Sequence, residues 1–574
     1  MDFILSTKNP TFYRNSLQLG DYYINYEENN RIRERELIYN TNELILLTDA
    51  NNSFINNFLK NPSFSSIEEN ISSLKNGYIL VFNKKSNTLI IYTDVFGFYQ
   101  LFYINRNSEI YVSSDFKNLL FFSDKNLDEY AIIDLLLFNY TLMDRTLISD
   151  IKRLKGGTKL VFKNNAFSKS TINNFADNFY KKPESYKAKP VHFSEILIES
   201  LNTDLIKSHK TYLTMTAGFD SRFLLALVKN MNIDILTFTF GQTGNIEQEI
   251  ISKFINDYSA NHSFFVLDKA YISSLPKIMN DYLLLNLDNP VLLDLPHYLY
   301  IKDQIIPSNL ITGFMGGEII SGQTVDSQVT FTDSAAKLLL CRDLSDAQTI
   351  IISQLGDLDY INIEYVKHIS GKYIESLSNY FYKKNKSNIL SFLVNEKYSK
   401  FFGSVNKIYK NYCNLITPYM DPGYISYILN SRISFLNKNP FTKNPFVNVK
   451  SKILYAKTIK YLYPSLSETK FDRLYSIDDL CYNHKLPKTA YRYFQNHYFN
   501  KNKKMYPKPH NYDLWYGDFI IKNFQSEYSR SKTMLFNNKF NFTTEQYTAL
   551  SAKSKKKAAN AAGALQCASL INEL

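Results

Sequence analysis

The chain has little cysteine, a single tryptophan and no long apolar run. Its four cysteines, Cys341, Cys413, Cys481 and Cys567, lie far apart and form no CxxC pair. That spacing argues against a disulfide framework or a zinc site and suits a reducing compartment. No stretch approaches the roughly 20 apolar residues of a membrane-spanning helix. The opening Met1–Asp2–Phe3–Ile4–Leu5–Ser6 has neither the basic nor the apolar region of a signal peptide, so a cytoplasmic location is expected. An arginine-rich arm, zinc-finger spacing and RNA-binding signatures are all missing, so nucleic acid is not an expected partner.

What is present suits soluble globular domains: 45% of residues are hydrophobic and 21% charged. A chain of 574 residues is too long for one core, which points to about two to four domains. The net charge of +12 is moderate for this length and favours acidic ligands such as nucleotides.

Residues 1–170 read as strand-rich. The runs "NGYILVF" (76–82), "TLIIYTDVFG" (88–97), "YQLFYI" (99–104) and "EIYVSSD" (109–115) are short, β-branched or aromatic, and separated by polar turns. "LDEYAIIDLLLF" (127–138) has helical spacing, and "KGGTKLVF" (155–162) reads as a turn and strand. Residues 171–190 are polar, contain two prolines and read as a linker. Beyond it the pattern alternates: helix 191–208, strand 211–215, helix 221–230, strand 234–240, helix 246–258, strand 263–267. Such alternation predicts right-handed crossovers and a parallel sheet. Residues from about 330 onward read as mainly helical, and 551–574 as a basic, Ala-rich tail whose Lys run suits a solvated or frayed helix.

The stretch "TMTAGFDSR" (214–222) joins a strand to a buried helix. In a parallel sheet, ligands bind beyond the carboxyl ends of the strands. Small residues there let the backbone approach a ligand. The following helix offers N–H groups and a positive dipole end to an anion. Thr216 and Ser221 add hydroxyls, and Asp220 is placed to hold a cation. The arrangement suits pyrophosphate with Mg²⁺, although GxxxxGK[ST] is absent. An Asp or Ser cap on a buried helix explains the same residues.

Three further stretches bear on that choice. "LITGFMGGEIISGQ" (310–323) is a strand with a glycine-rich turn and one acid, Glu318. "LITPYMDPGYISYIL" (415–429) sets Asp421 before an apolar helical run. "TDVFGFYQLFY" and "RTLISDIKRLKGGTKLVF" lie in the amino-terminal part. Together these motifs resemble the asparagine synthetase family, in order, over about residues 70–480. "TAGFDS" is similar to the family's SGGxDS pyrophosphate loop, and "TGFMGGEIISG" to its SGEGxDExxGG loop. "TPYMDP" resembles R-x-PFLD, and "TDVFGFYQLFY" resembles RDxxGxxPLYY.

The resemblance implies a multidomain α/β protein. A stacked β-sheet domain of class II glutaminase (Ntn) type would occupy 1–170. A parallel-sheet PP-loop ATP pyrophosphatase domain with extra helices would occupy 191–550, before the tail at 551–574. It implies ATP and Mg²⁺ as cofactors, an acyl-adenylate, and release of AMP and pyrophosphate. Thr216, Ala217, Gly218, Phe219, Asp220, Ser221, Gly313, Gly316 and Gly317 would then surround phosphate, and Phe238, Thr239 and Phe240 would line adenine. Asp220 and Glu318 would hold the metal. Lys470 or Arg473 would steady the adenylate transition state together with Glu318. Glu247 resembles an acid that follows the second strand, and a helix amino terminus alone accounts for it.

The chain departs from the family at several places. The glutaminase nucleophile is a cysteine directly after the initiator methionine, and Asp2 stands there. A carboxylate cannot replace a thiol in that chemistry, so a degenerate docking domain is expected. Ala217 replaces a glycine. Arg222 replaces a Ser or Thr and reads either as a phosphate contact or as an ordinary surface residue. The SGEG acid falls on Met315 or Phe314, depending on register, and is missing either way. The family includes lasso-peptide macrolactam synthetases and β-lactam synthetases, which also lack a working glutaminase. The expected activity is therefore carbon–nitrogen ligation on a peptide, such as a precursor peptide, or a natural product, without glutamine hydrolysis. The alternatives are amidation of a polysaccharide precursor or amino acid, and a non-catalytic nucleotide-binding protein. A homodimer is compatible with the resemblance.

Overall fold

The computed structural model describes residues 1–7, 12–28, 36–106, 109–163, 166–172, 186–258, 261–290, 296–305, 308–321, 333–356, 363–378, 386–410, 412–437, 449–469, 476–494, 563–564, 566–571 and 574. The amino-terminal half contains two six-stranded antiparallel sheets. The first runs, in spatial order, Lys152–Arg153, Phe102–Arg106, Glu109–Ser113, Asp2–Ser6, Tyr22–Glu27, Asn15–Leu19. The second runs Ala166–Thr171, Thr158–Lys163, Thr88–Thr93, Tyr78–Asn83, Leu44–Asp49, Glu36–Asn40.

Side-chain alternation decides how the layers stack. Phe3 and Leu5 from the first sheet meet Leu80, Ile91 and Leu160 from the second, forming the core between the sheets. Ile79, Val81 and Ile90 point the other way, onto Phe54, Phe58 and Ile67 of two short helices. Ile4, Phe102 and Ile104 leave the far face of the first sheet and enter a core shared with the carboxyl-terminal half. The TDVFG turn is held by one buried carboxylate. Asp94 accepts the amides of Phe96 (2.9 Å), Phe98 (3.1 Å) and Tyr99 (2.9 Å). Gly97 has φ +66°, and a Cβ there would meet the Gly156 nitrogen at 2.8 Å, so the turn needs glycine.

The carboxyl-terminal half is built on a five-stranded parallel sheet: His262–Val266, Leu236–Gly241, Thr211–Thr214, Ser308–Ile311, Cys413–Ile416. The helices Pro190–Asp204, Phe219–Asn230 and Ile246–Ser252 interleave with its first strands, as the alternation predicts. The last strand, Cys413–Ile416, lies inside the region expected to be helical. Four apolar or short polar residues carry too little periodicity to be seen. Residues 173–185 of the expected linker lie outside the described residues. The Lys run near the carboxyl end lies outside the described residues, and beyond it Ala564, Cys567, Ala568 and Ile571 are buried in the main core. Among the described residues, no helix is long and apolar enough to cross a membrane.

Buried polar contacts join the halves. Lys75 donates to Ser200 (2.8 Å) and pairs with Asp204 (3.1 Å) and Asp421 (2.9 Å). Asn76 and Asn406 exchange amide hydrogen bonds of 3.0 and 3.1 Å. Arg153 donates to the carbonyls of Gly97 (3.1 Å) and Ser399 (2.7 Å). Glu396 and Lys400 form an ion pair of 2.8 Å, 0% and 1% exposed. Lys400 also donates to the carbonyls of Thr141 and Met143, and Glu396 accepts the Met143 amide at 2.9 Å. Substituting Lys400→Met strands the Glu396 charge in the interior. The unfolding free energy in a urea titration should fall by about 3–5 kcal/mol, with Lys400→Arg losing less.

Candidate active site at the edge of the parallel sheet

Strand Thr211–Thr214 ends in the turn 215–218, and helix Phe219–Asn230 begins at once. Gly218 is the amino-terminal cap residue, and no side chain hydrogen-bonds the helix end. The Asp or Ser cap that the sequence allowed is therefore not formed. Ser221 instead closes the turn on itself. Its Oγ accepts the Thr216 amide (3.1 Å) and donates to the Thr216 carbonyl (3.0 Å). Thr216 and Gly218 are exposed, whereas Ala217 is buried. A small residue at 217 thus fills core space under the loop.

The neighbouring strand Ser308–Ile311 delivers the second turn. Gly313, Gly316 and Gly317 wrap the Asp220 side chain. A Cβ on Gly316 would meet Asp220 Oδ1 at 2.7 Å, and one on Gly317 would meet Oδ2 at 3.2 Å. Gly316 has no room for a side chain at this approach of the two turns, and Gly317 has little. Glu318 follows on helix Gly316–Ser321. Burial and the neighbouring Glu318 charge push the Asp220 carboxyl up to about 7. Burial likewise raises Glu318, against the pull of Lys397. Asp220 and Glu318 therefore converge beyond the sheet edge, as expected. Among the described residues, no cluster of three or more His, Cys, Asp or Glu forms a preassembled metal cage.

Around the acids stand tyrosines that no motif pointed to. Tyr419 donates to the Asp220 carbonyl at 2.8 Å and pins the first helical turn. The Tyr455 and Tyr424 hydroxyls are buried and lie close enough to feel the Asp220 charge, with Tyr455 set against the Asp220 carboxylate and Tyr424 against Tyr455. Asp220 Oδ1 is sealed from solvent without a hydrogen-bond partner. Tyr419 sits inside the TPYMDP stretch, so a signal existed for it. Tyr455, on a distant helix, left none.

The remaining site residues are placed as follows. Phe238 is 1% exposed, its ring packed beside Phe265 at 5.4 Å, so its backbone is all it can offer a ligand. Thr239 donates its hydroxyl to the Met215 carbonyl at 2.9 Å. Phe240 is half-buried beside His297 (4.6 Å) and Tyr298 (5.6 Å). Arg222 is neither a surface residue nor a phosphate contact. It is fully buried, donates to Thr469 Oγ1 at 3.0 Å and lies 4.8 Å over the Phe254 ring. Helical phase turns position 222 inward, away from the loop. Asp421 caps helix Pro422–Leu429 through the amides of Gly423 and Tyr424 (2.9 and 3.2 Å). Glu247 lies in the first turn of Ile246–Ser252. Lys470 and Arg473 lie outside the described residues.

Comparison with known proteins matches residues 67–173 to a family described as a glutamine amidotransferase domain. That part of the chain is a glutamine amidotransferase-like domain, and it carries the strands of the two stacked sheets from Tyr78–Asn83 to Ala166–Thr171. No curated protein matches the sequence. A similar solved structure is glutamine phosphoribosylpyrophosphate (PRPP) amidotransferase from B. subtilis, complexed with ADP and GMP. The identity is 11%, covering 34% of this chain and 47% of that one, with a TM-score of 0.17. The chain thus spans less than half of that protein's length.

Asp220 supplies a test by pH. Its folded value, about 7, lies above the ordinary 3.8, so the ionised form is disfavoured by folding. The metal-free protein should lose stability as pH rises from about 4 through about 7. Asp220→Asn should flatten that decline and be the more stable protein above pH 7. Thermal melts across pH 4–8 in EDTA check this; identical profiles for both proteins would refute the buried-acid assignment.

Proposed function

We propose that the chain is an asparagine synthetase-like ligase. It joins a carboxylate to an amine using ATP and Mg²⁺, through an acyl-adenylate, and releases AMP and pyrophosphate. One observation carries this reading: the uncapped amino end of helix Phe219–Asn230 faces Asp220 and Glu318 beyond the carboxyl edge of a parallel sheet. The N–H groups of the first turn and the helix dipole favour a departing polyphosphate. Thr216 lies exposed beside them as a hydroxyl donor, and Ser221 holds the turn in shape. The preserved order of the four motifs supports the same reading.

The residues fit a divalent cation. Asp220 Oδ1 is sealed and has no partner, and the three glycines keep side chains out of the space around it. Mg²⁺ is commonly held by one or two carboxylates together with phosphate oxygens. Asp220 and Glu318 would hold it here, and the ion would neutralise charge on phosphate. Met315 has φ +67°, a conformation natural to glycine. It therefore fits the register that sets Met315 on the second glycine of SGEGxDExxGG. In that register Phe314 stands on the first acid, Gly317 on the Asp, and Glu318 on the Glu after it. An apolar ring at the first acid's place speaks against aspartate as the substrate. The same feature favours a second reading, a nucleotide-binding protein without turnover.

The amidotransferase-like half is read as non-hydrolytic. The chain has no cysteine before Cys341. Asp2, at the nucleophile's place, is paired with Lys410 of the other half at 2.7 Å and bonded to Ser114 at 3.1 Å. Purified protein incubated with glutamine should therefore release glutamate no faster than buffer, by coupled assay.

The reaction type is tested by incubating the protein with Mg·ATP and cell extract and analysing nucleotides by mass spectrometry. AMP and pyrophosphate should form, and Ser221→Ala should slow them about tenfold or more through loss of the hydrogen bonds that hold the loop in shape against developing phosphate charge. ADP and phosphate as the enzyme-dependent products would overturn the ligase class. Nucleotide binding without AMP favours the binding-protein reading.

A further inference from the structure

Beside the acids lies a turn of π-helix, Leu393–Tyr398, which runs into helix Ser399–Tyr409. Such turns are rare and collect at functional sites. This one sets Lys397 and Tyr398 next to each other. The Tyr398 ring is 1% exposed and stacks on Phe402 with centroids 5.5 Å apart. Phe402 stacks in turn on Phe314 at 4.5 Å. Phe314 belongs to the turn that delivers Glu318. Phe314 and Phe402 both keep part of their surface open. The Tyr398 hydroxyl is buried and has no hydrogen-bond partner, an arrangement that folding disfavours and that calls for an explanation. The Glu318 charge reaches both residues of the turn: Lys397 draws the Glu318 carboxyl down, and Glu318 helps push the Tyr398 phenol well above its ordinary value.

The turn is also held with unusual firmness. Glu396 and Lys400 flank its end and fasten it to residues 141–143 of the amidotransferase-like half. Gln100 and Arg153 of that half both donate to the Ser399 carbonyl. Glu396 and Lys400 are thus positioning residues, and what they position is the face carrying Lys397, Tyr398 and Phe402.

We propose that this face is the acyl subsite, and that it takes a carboxylic acid with an aromatic body. The body lies on the Phe314–Phe402 wall, and the carboxylate is met by the Lys397 ammonium and the Tyr398 hydroxyl. This rests on the ligase reading, because it places the acid beside the loop that would hold ATP. An aromatic ring gains edge or offset contacts with a stacked pair. A carboxylate satisfies the hydroxyl that the ligand-free protein leaves unmet. Acetate offers the charge without the ring, so the wall discriminates between the two.

The probes are 3-phenylpropionate and acetate, titrated into the full chain by calorimetry with and without Mg²⁺ and α,β-methylene-ATP. We expect 3-phenylpropionate to bind at least about tenfold more tightly than acetate. Tyr398→Phe keeps the ring stack and removes only the hydroxyl. It should weaken 3-phenylpropionate about tenfold while the melting temperature stays level or rises, since an unmet buried group is lost. Its affinity for Mg·α,β-methylene-ATP should be unchanged. Lys397→Gln should weaken both acids. The subsite is overturned if 3-phenylpropionate fails to bind, if the two acids bind alike, or if Tyr398→Phe lowers the melting temperature without altering acid affinity. Acid binding that passes these tests in a protein that does not bind the nucleotide keeps the subsite and discards the ligase. Nucleotide binding with no discrimination between acids does the reverse.

Discussion

The Glu396–Lys400 pair is the contact on which the rest of the site depends. Two ionised groups with almost no exposure survive in an interior only when each has further partners. Here those partners come from the other half of the chain: the Met143 amide for Glu396, and the Thr141 and Met143 carbonyls for Lys400. The desolvation cost is therefore offset across the boundary between halves. Burial pulls the Lys400 ammonium down to about 8, while Glu396 holds it up. Met143 itself has φ +59°, so the loop is bent to present both its amide and its carbonyl.

The same exchange recurs along the boundary, and it runs in both directions. Lys75 of the amidotransferase-like half serves the acids Asp204 and Asp421 of the other half. Lys410 of the carboxyl-terminal half serves Asp2. Asp134 receives Arg145 from its own half at 2.7 Å and the Tyr373 hydroxyl from the other at 2.6 Å. Each half therefore contains charges that only the other satisfies. The amidotransferase-like half thus has a physical role, because removing it would take Lys75 from Asp204 and Asp421 and two donors from the Ser399 carbonyl. Asp421 is informative in this respect. The motif that contains it faces the acid pair through Tyr419 and faces the other half through Asp421.

Legibility from sequence followed periodicity. The alternation over residues 191–267 gave helices and strands close to those observed, because each element is long enough to show its period. The strand Cys413–Ile416 was too short for that. Asp220, Glu318 and the glycines between them were legible because turns that approach closely need small residues and the ligand chemistry needs acids. Tyr455, Tyr398 and Lys397 were not, since they reach the site from helices whose sequence carries core spacing and nothing more. Arg222 was misread because a charged residue in a loop motif suggests a ligand or the surface. Its helical phase, together with Phe254 and Thr469, decides otherwise.

These features combine into a constraint on the chemistry. The sheet edge holds two acids whose charges repel and whose burial favours the neutral form. Nothing within the pair relieves that repulsion; relief must come from cations. Lys397 supplies one from the protein, and its place is set by the clamp at Glu396 and Lys400. A divalent ion at Asp220 and Glu318 would supply another. Without added positive charge Asp220 takes up a proton near neutral pH, and burial favours the neutral form of Glu318 as well. A bound cation would favour the ionised form of both. The interface between the halves therefore sets the second site's electrostatics, because it fixes the turn that carries Lys397.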